Sequence, residues 1–87
     1  TIPLPRQAER RLIVAAVNGA IRTATAGVPG VMLVALDRLF TPNGYRDVMR
    51  YRGRNVRVRD VDGLHLSLEG QAIAAREVAT VIRAAGR

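Results

Sequence analysis

The sequence of 87 residues is long enough for one small domain at most, and 48% of its residues are hydrophobic, which excludes a disordered tail. The formal net charge of +7 leaves an anionic partner open. The absence of cysteine excludes disulfides and cysteine-based metal sites.

The first long element is predicted to be a helix from Gln7 to about Thr25. Before it, two prolines within the first five residues require an extended chain. Within it, apolar side chains recur at intervals of three and four residues, which is typical of an amphipathic helix. Two glycines and a proline at residues 27–30 end the pattern.

A continuous apolar run, Val31–Leu36, follows and is closed by Asp37. Six apolar residues without alternation predict a strand covered on both faces, as in a parallel sheet, although a buried helical turn would also fit. Residues 37–50 are predicted to form a loop, with a turn at Thr-Pro-Asn-Gly. Val56 and Val58 alternate with arginines, which predicts a short strand with one solvent-facing side.

The last element is predicted to be a helix over residues 67–85. Ser67 is a suitable N-cap, Glu69 complements the helix dipole in the first turn, and Gly86 is a plausible end. We expect the apolar face of this helix to comprise Leu68, Ala72, Ala75, Val78, Ala79 and Ile82.

A strand buried on both faces needs neighbouring strands to satisfy its backbone, and this chain supplies at most one more short strand. The sequence therefore predicts an α/β fold, with residues 1–87 forming the C-terminal segment of a single larger domain. The first residue, Thr1, suggests a processed product or an excerpt from something longer. No apolar run approaches the length of a membrane span, so no transmembrane segment is predicted.

The only histidine, His65, lies in the loop before the final helix, three residues after Asp62. A turn eased by Gly63 would let the Asp62 carboxylate accept a hydrogen bond from Nδ1–H of His65. That contact leaves Nε2 free as a general base and stabilises the imidazolium that forms. A bare Asp-x-x-His is also common by chance, so a surface histidine beside a turn-forming aspartate is the competing interpretation.

The segment Asp-Gly-Leu-His-Leu-Ser at residues 62–67, followed by Gly70 and an alanine-rich helix, resembles the closing block of SGNH (GDSL-type) serine hydrolases. The resemblance covers most of the chain, from Gln7 onward, and the run 31–36 is similar to the last parallel strand of that family. It implies a three-layer α/β/α, flavodoxin-like domain with a mostly parallel sheet. It also implies a Ser–His–Asp mechanism on an ester-linked acyl group, in which His65 is the general base and Asp62 orients it.

The family's nucleophilic serine and oxyanion-hole residues lie in blocks that this sequence does not contain. Ser67 is the only serine, and its position suits helix capping better than nucleophilic attack. We therefore expect the chain alone to be inactive and the serine to come from an upstream segment or a second chain. The resemblance implies no metal or organic cofactor. It places such a protein outside the cell or in a bacterial cell envelope, whereas the residues themselves leave the location unknown.

Two other aspartates are candidates for a functional role. Asp60, five residues before His65, is the second-ranked partner for the imidazole. Asp37 follows the predicted buried strand, where ligands gather in α/β sheets, but capping of the next turn is the favoured role.

Five arginines at positions 50–59 raise a different possibility, namely a small basic module that grips nucleic acid or another anionic polymer. No nucleic-acid motif accompanies these arginines and only Tyr51 is interleaved, so a solvated surface is favoured and nucleic acid is not expected as a partner. A third possibility is an interaction module in which helices 7–25 and 67–85 pair and dock on a partner. That possibility leaves the predicted strand and the Asp–His block unexplained.

Overall fold

The computed structural model describes residues 1–86, whose regular elements are three helices and one two-stranded antiparallel sheet. The helices are α1 (Ala8–Thr25), α2 (Leu36–Phe40) and α3 (Leu68–Ala85). The strands are β1 (Val48–Tyr51) and β2 (Arg54–Arg57). The architecture is thus a small mixed α/β arrangement. The chain divides into two compact units, one of residues 1–45 and one from Arg46 onward.

In the first unit, the N-terminal segment is bonded to α1 and to the region of α2. The side chain of Asn18, on α1, accepts from the Ile2 N–H at 2.8 Å and donates to the Ile2 carbonyl at 2.7 Å. The hydroxyl of Thr41 accepts from the Leu4 N–H at 3.2 Å. Asn18 and Phe40 are almost completely buried. This unit is therefore held in part by a buried amide that substitutes for a backbone partner of the extended segment.

Helix α1 confirms the prediction for residues 7–25, but its apolar side chains are not packed within the described residues. Leu12 is 75% exposed and Ile13 is 64% exposed. Asn18 is the buried residue of this helix instead. The 3.6-residue period thus predicts the helix correctly, while the first unit leaves Leu12 and Ile13 exposed.

The predicted strand at Val31–Leu36 is not formed in the structure, which is a correction to the expectation. Residues 31–35 have no regular secondary structure, and Leu36 begins α2. An inverse γ-turn, closed by the Leu36 N–H donating to the Val34 carbonyl at 3.0 Å, leads into that helix. A strand exists only with a ladder partner, and no strand of the described residues pairs with this segment.

In the second unit, β1 and β2 form a hairpin with Met49 opposite Val56. The prediction of a loop over residues 37–50 is partly wrong, because most of α2 and most of β1 lie within that range. The connection, Arg52-Gly53, has φ angles of 51° and 80°, which fit a two-residue type I′ turn. Met49, Val56, Val58 and Ile73 are the buried hydrophobic residues of this unit.

Helix α3 confirms the predicted helix and both of its ends. The Ser67 hydroxyl accepts from the Gly70 N–H at 3.0 Å, and the Gly86 N–H donates to the Ile82 carbonyl at 3.1 Å. The predicted apolar face is partly wrong, since Leu68 is 80% exposed and Ile73 is buried. The side of α3 that carries Gly70 and Ile73 is the one that packs, because the first turn lies against the Val58 backbone.

Candidate functional site

The turn between β2 and α3 carries the candidate site, and its two arms are paired by backbone hydrogen bonds. Arg59 and Leu66 form an isolated antiparallel bridge. Beside it, the Asp60 N–H donates to the His65 carbonyl at 2.9 Å, and the Ser67 N–H donates to the Val58 carbonyl at 2.9 Å. The two segments thus form a short antiparallel ladder, and the residues between them form the turn at its end.

The side chain of Asp62 contacts His65 as predicted. Its Oδ2 lies 2.6 Å from Nδ1 of the imidazole. Its Oδ1 accepts from the Leu64 N–H at 2.8 Å and from the His65 N–H at 3.0 Å. Gly63, with φ of 67°, takes the left-handed conformation that lets the chain turn back within three residues. Both carboxylate oxygens are therefore engaged, one by the turn and one by the ring.

These contacts shift the pKa of both partners. The hydrogen bond from His65, followed by the backbone N–H groups of Leu64 and His65, lowers the pKa of Asp62 from 3.8 to about 2. The hydrogen bond and the negative charge of Asp62 raise the pKa of His65 above 6.5, and the charge of Asp60 adds to that effect. Near neutral pH, Asp62 is a carboxylate, and its contact favours the protonated form of His65.

Asp60, the second-ranked partner, does not bond the imidazole. Its Oδ1 accepts from the Val61 N–H at 2.7 Å. Its backbone N–H donates to the His65 carbonyl, so it holds the main chain of the histidine and influences the ring through its charge alone. Of the two candidate aspartates, Asp62 is the one in contact with Nδ1.

The imidazole is exposed, with 72% of its side chain accessible, and the side chain of Asp62 is 43% accessible. A general base needs Nε2 to face a cleft that holds the substrate. Two surface cavities along β2 and α3 are lined by other residues and do not include His65. The structure thus brings Asp62 and His65 together on an exposed turn.

Ser67 has the capping role that its position predicts. Its hydroxyl donates to the Arg57 carbonyl at 2.7 Å and accepts from the Gly70 N–H at 3.0 Å. The hydroxyl proton is thus used by a carbonyl group and the oxygen by the start of α3. A serine bonded in this way is not poised to transfer its proton to a histidine.

Asp37 lies in the first unit, where it forms a buried ion pair. Its Oδ1 is 2.5 Å from Nη2 of Arg22, accepts from the Thr1 hydroxyl at 2.6 Å, and accepts from the Arg38 N–H at 2.8 Å. Burial by itself raises the pKa of Asp37, but these hydrogen bonds, that from Arg22 first, lower it to about 2. The contact with Arg38 is the turn-capping role that was favoured. The partnership with Arg22 was not predicted, because fifteen residues separate the two in sequence.

The five arginines at positions 50–59 do not form one surface. In the hairpin register, Arg50 and Arg57 lie on the side opposite the buried Met49 and Val56. Arg54, two residues before Val56, lies on the same side as Val56. Arg54 lines a cavity of about 130 Å³, together with Tyr51, Glu69, Ile73 and Arg76.

The remaining two arginines, Arg52 and Arg59, lie on neither face of the hairpin. Arg52 occupies the hairpin turn with its guanidinium 5.4 Å from the centre of the Tyr51 ring. Arg59 is only 1% exposed and cannot contact a polymer. The run that looks continuous in sequence is thus divided between a turn, two faces of a hairpin and the interior.

Two further properties concern partners that the sequence left open. Among residues 1–86, no three histidine or carboxylate side chains converge in a way that could hold a metal ion. In the same part of the chain, no helix combines the length and the hydropathy that a membrane span needs.

A family model described as a protein of unknown function, DUF459, matches residues 1–81. The chain therefore belongs to the DUF459 family. The match includes the turn with Asp62 and His65 and most of α3. A search of curated proteins found no match.

Proposed function

We propose that this chain supplies the histidine and the aspartate of a Ser–His–Asp triad in an SGNH-type ester hydrolase or O-acyl transferase. The observation that carries the proposal is the 2.6 Å contact between Asp62 Oδ2 and His65 Nδ1, formed on an exposed turn just before α3. The position of the Asp-x-x-His turn directly before a capped C-terminal helix supports it, because the same turn and helix close the SGNH domain that the sequence resembles.

The chemistry follows from the hydrogen bonds of the pair. With its proton on Nδ1 and shared with Asp62, the neutral imidazole presents the lone pair of Nε2. Nε2 removes the proton of a serine hydroxyl as the serine oxygen attacks the ester carbonyl. The imidazolium then returns that proton to the departing alcohol, which leaves an acyl-serine. Water or a second alcohol, deprotonated by the same nitrogen, releases the acyl group.

Asp62 remains ionised throughout this cycle, because its pKa of about 2 lies far below the working range. Its charge stabilises the imidazolium, and its Oδ1 contacts with the backbone of the turn fix the orientation of Oδ2. The role of Asp62 is therefore to orient and stabilise His65 rather than to accept its proton.

The nucleophilic serine is proposed to come from another segment or chain. Ser67 is the only serine of the sequence, and both its proton and its oxygen are engaged in capping α3. The proposal also requires oxyanion donors from outside this chain, where the Gly-Asp-Ser and asparagine-containing blocks of the resembled family would lie.

We further propose that the chain forms the C-terminal part of a three-layer domain with a mostly parallel sheet. Within residues 1–86, the backbone groups of Met32 and Leu33 have no hydrogen-bond partner, and their side chains are 49% and 37% exposed. Strands from the rest of such a domain would satisfy these groups and turn the segment into a strand. The exposed apolar face of α1, with Leu12 and Ile13, would be covered in the same assembly.

The main rival, a basic module for nucleic acid or an anionic polymer, has less support. Its arginines are divided between the interior, a turn and two faces of the hairpin, so they offer no continuous track for phosphates. The helical interaction module is also less favoured, because it gives no role to the Asp62–His65 contact.

The proposal is tested by hydrolysis of p-nitrophenyl acetate and by labelling with a fluorophosphonate probe. The 87-residue chain alone should show no turnover above its His65→Ala variant. Joined to the segment encoded immediately upstream, it should hydrolyse the ester and label on a serine of that segment. Turnover by the isolated chain that disappears in Ser67→Ala would contradict the proposal and make Ser67 the nucleophile. Absence of turnover and labelling in the joined protein would also contradict it.

A further inference from the structure

Arg59 is the most deeply buried charged side chain of the second unit, with 1% of the residue exposed. Removing a guanidinium from water is costly unless hydrogen bonds replace the lost solvation. The apolar Val58, which precedes it, is completely buried as well. An aliphatic residue would pack at this interior position at lower cost than an arginine. The N–H donors of the Arg59 guanidinium are therefore expected to have a specific role.

One of those donors is directed at the candidate site. Nη1 of Arg59 donates to the Leu64 carbonyl at 3.0 Å. The amide of the same peptide unit, the His65 N–H, donates to Asp62 Oδ1 at 3.0 Å. A peptide unit is planar, so its carbonyl and its N–H rotate together. The orientation that Arg59 imposes on the carbonyl is therefore also imposed on the N–H that holds Asp62.

The backbone of Arg59 holds the other arm of the same turn. Arg59 is bridged to Leu66, and the Asp60 N–H next to it donates to the His65 carbonyl at 2.9 Å. The peptide units before and after His65 are thus both anchored to residues 59–60. The anchor is needed because the pair itself is exposed, and exposed ion pairs are too weak to fix a turn by themselves.

We propose that Arg59 is a positioning residue for His65: its buried guanidinium fixes the Leu64–His65 peptide unit and so keeps Asp62 in contact with Nδ1 of the imidazole. The significance of this for catalysis rests on the proposed hydrolase function. The positioning itself can be measured in the chain without any substrate, so failure of one proposal is distinguishable from failure of the other.

The test is the pKa of His65, read from its imidazole resonances by NMR in the full 87-residue chain. The charged groups that act on the ring are Asp62 and Asp60. The guanidinium of Arg59 lies at the Leu64 carbonyl, one residue before the histidine. If Arg59 acted on His65 only through its positive charge, removing that charge would raise the pKa of His65. Loss of positioning would instead weaken the Asp62 contact and lower that pKa. The two effects have opposite signs, which makes the measurement decisive.

In Arg59→Met, which keeps an apolar side chain of similar length, we expect the pKa of His65 to fall most of the way to its value in Asp62→Asn. In the double variant Arg59→Met/Asp62→Asn the second substitution should add little, because both act through the same contact. Arg50→Met is the matched control, since Arg50 is exposed on the outer face of the hairpin, and it should leave the His65 pKa unchanged.

If Arg59→Met does not fold, judged by the methyl signals of Ile73 and Val56, Arg59→Lys provides the same readout with the charge retained. A lysine lacks the planar guanidinium whose Nη1 donates to the Leu64 carbonyl, so the pKa of His65 should fall in this variant too. An unchanged or raised His65 pKa in either folded variant would overturn the proposal and leave Arg59 with a purely structural role.

Discussion

Asp37 in the first unit and Asp62 in the second have the same lowered pKa, about 2, but very different surroundings. Each carboxylate lies against a side-chain nitrogen, Arg22 Nη2 at 2.5 Å and His65 Nδ1 at 2.6 Å. The side chain of Asp37 is 11% exposed, whereas that of Asp62 is 43% exposed. By pKa and distance alone, the two sites would look alike.

The difference lies in what the partner can do with a proton. An arginine stays protonated at every pH a protein experiences, so the Asp37–Arg22 pair can hold the first unit together but cannot move a proton. A histidine exchanges its proton near neutral pH, and the exposed ring of His65 can do so with a substrate or with water. A low aspartate pKa therefore indicates a strong local contact, and only the partner and its exposure indicate chemistry.

Of all substitutions at these two aspartates, Asp62→Asn is expected to cause the greatest loss of activity. The asparagine keeps the shape of the turn but favours the wrong imidazole tautomer. Ester hydrolysis by the protein joined to the proposed serine-bearing segment should therefore fall by about 10⁴-fold. The variant should also lose the effect of Asp62 that raises the pKa of His65. The rise of its kcat/KM with pH should therefore occur at lower pH than in the wild type. Rates are measured across the pH range with p-nitrophenyl acetate.

The control for this variant is Asp60→Asn, which removes a charge near His65 without removing a contact to the ring. It should change the rate by less than about tenfold, since only a screened charge is lost. Equal losses in the two variants would contradict the assignment of Asp62 as the orienting residue.

The two units should also differ in their response when a glycine of each long helix is replaced by alanine. On Gly70, in α3, the new Cβ would overlap with the carbonyl oxygen of Val58 and lie 3.2 Å from Cβ of Leu66. We expect Gly70→Ala to lower the free energy of unfolding by about 2–3 kcal/mol, because backbone must move to admit it. On Gly19, in α1, nothing lies within 4 Å, and the helix propensity of alanine should add about 0.5–1 kcal/mol.

Urea denaturation followed by the amide signals of each unit would measure both changes. Gly70→Ala should also disturb the signals of Leu66 and Val58, because the collision is with the paired arms of the site-bearing turn. A neutral Gly70→Ala would show that α3 does not lie against this backbone in solution.

The parts of the molecule that depend on near neighbours in sequence could be predicted from the sequence. The helix over residues 7–25 follows from its apolar period, and the start of α3 follows from Ser67 as N-cap. The contact between Asp62 and His65 also spans only three residues. Local geometry determines each of these, so no knowledge of the rest of the fold is needed.

Features that depend on distant residues could not be predicted in this way. Arg22 meets Asp37 because of how the first unit folds, and the burial of Arg59 depends on packing that no local pattern reveals. The run 31–36 has a strand composition but no partner within residues 1–86, so the pattern alone does not make it a strand. The hairpin was missed although a signal existed, the Arg52-Gly53 pair between two short alternating segments.

The third prediction concerns Asp37, whose ion pair should act on stability alone. Asp37→Asn removes the charge that Arg22, Thr1 and Arg38 stabilise, and should destabilise the first unit by about 2 kcal/mol. Because the folded pKa is lowered, the advantage of the wild-type carboxylate is fully present above its ordinary pKa of 3.8 and disappears as the pH falls through about 2. Urea titrations at several acidic pH values would measure it.

The matched control is Glu9→Gln, which removes an exposed acid in the first turn of α1. It should change the free energy of unfolding by less than about 0.5 kcal/mol at any pH. A difference between Asp37→Asn and wild type that does not shrink on acidification would show that the loss is steric rather than electrostatic.

The smallest effect is expected at the helix N-caps, where the two units again differ. In the second unit, Ser67 caps α3 with its hydroxyl, whereas Gln7 of the first unit makes no side-chain cap for α1. Ser67→Ala should therefore cost about 1 kcal/mol of stability, and Gln7→Ser should add a few tenths of a kcal/mol. Thermal unfolding of both variants would measure the pair of changes.

Ser67→Ala has a second readout that bears on the proposed chemistry. In the protein joined to the proposed serine-bearing segment, turnover measured well below the melting temperature should stay within about threefold of wild type. The reason is that the capping hydroxyl takes no part in the proposed acyl transfer. A loss of several orders of magnitude, with the fold intact, would mean that the hydroxyl leaves the Arg57 carbonyl to act as the nucleophile. The same substitution thus distinguishes a residue that begins a helix from one that attacks an ester.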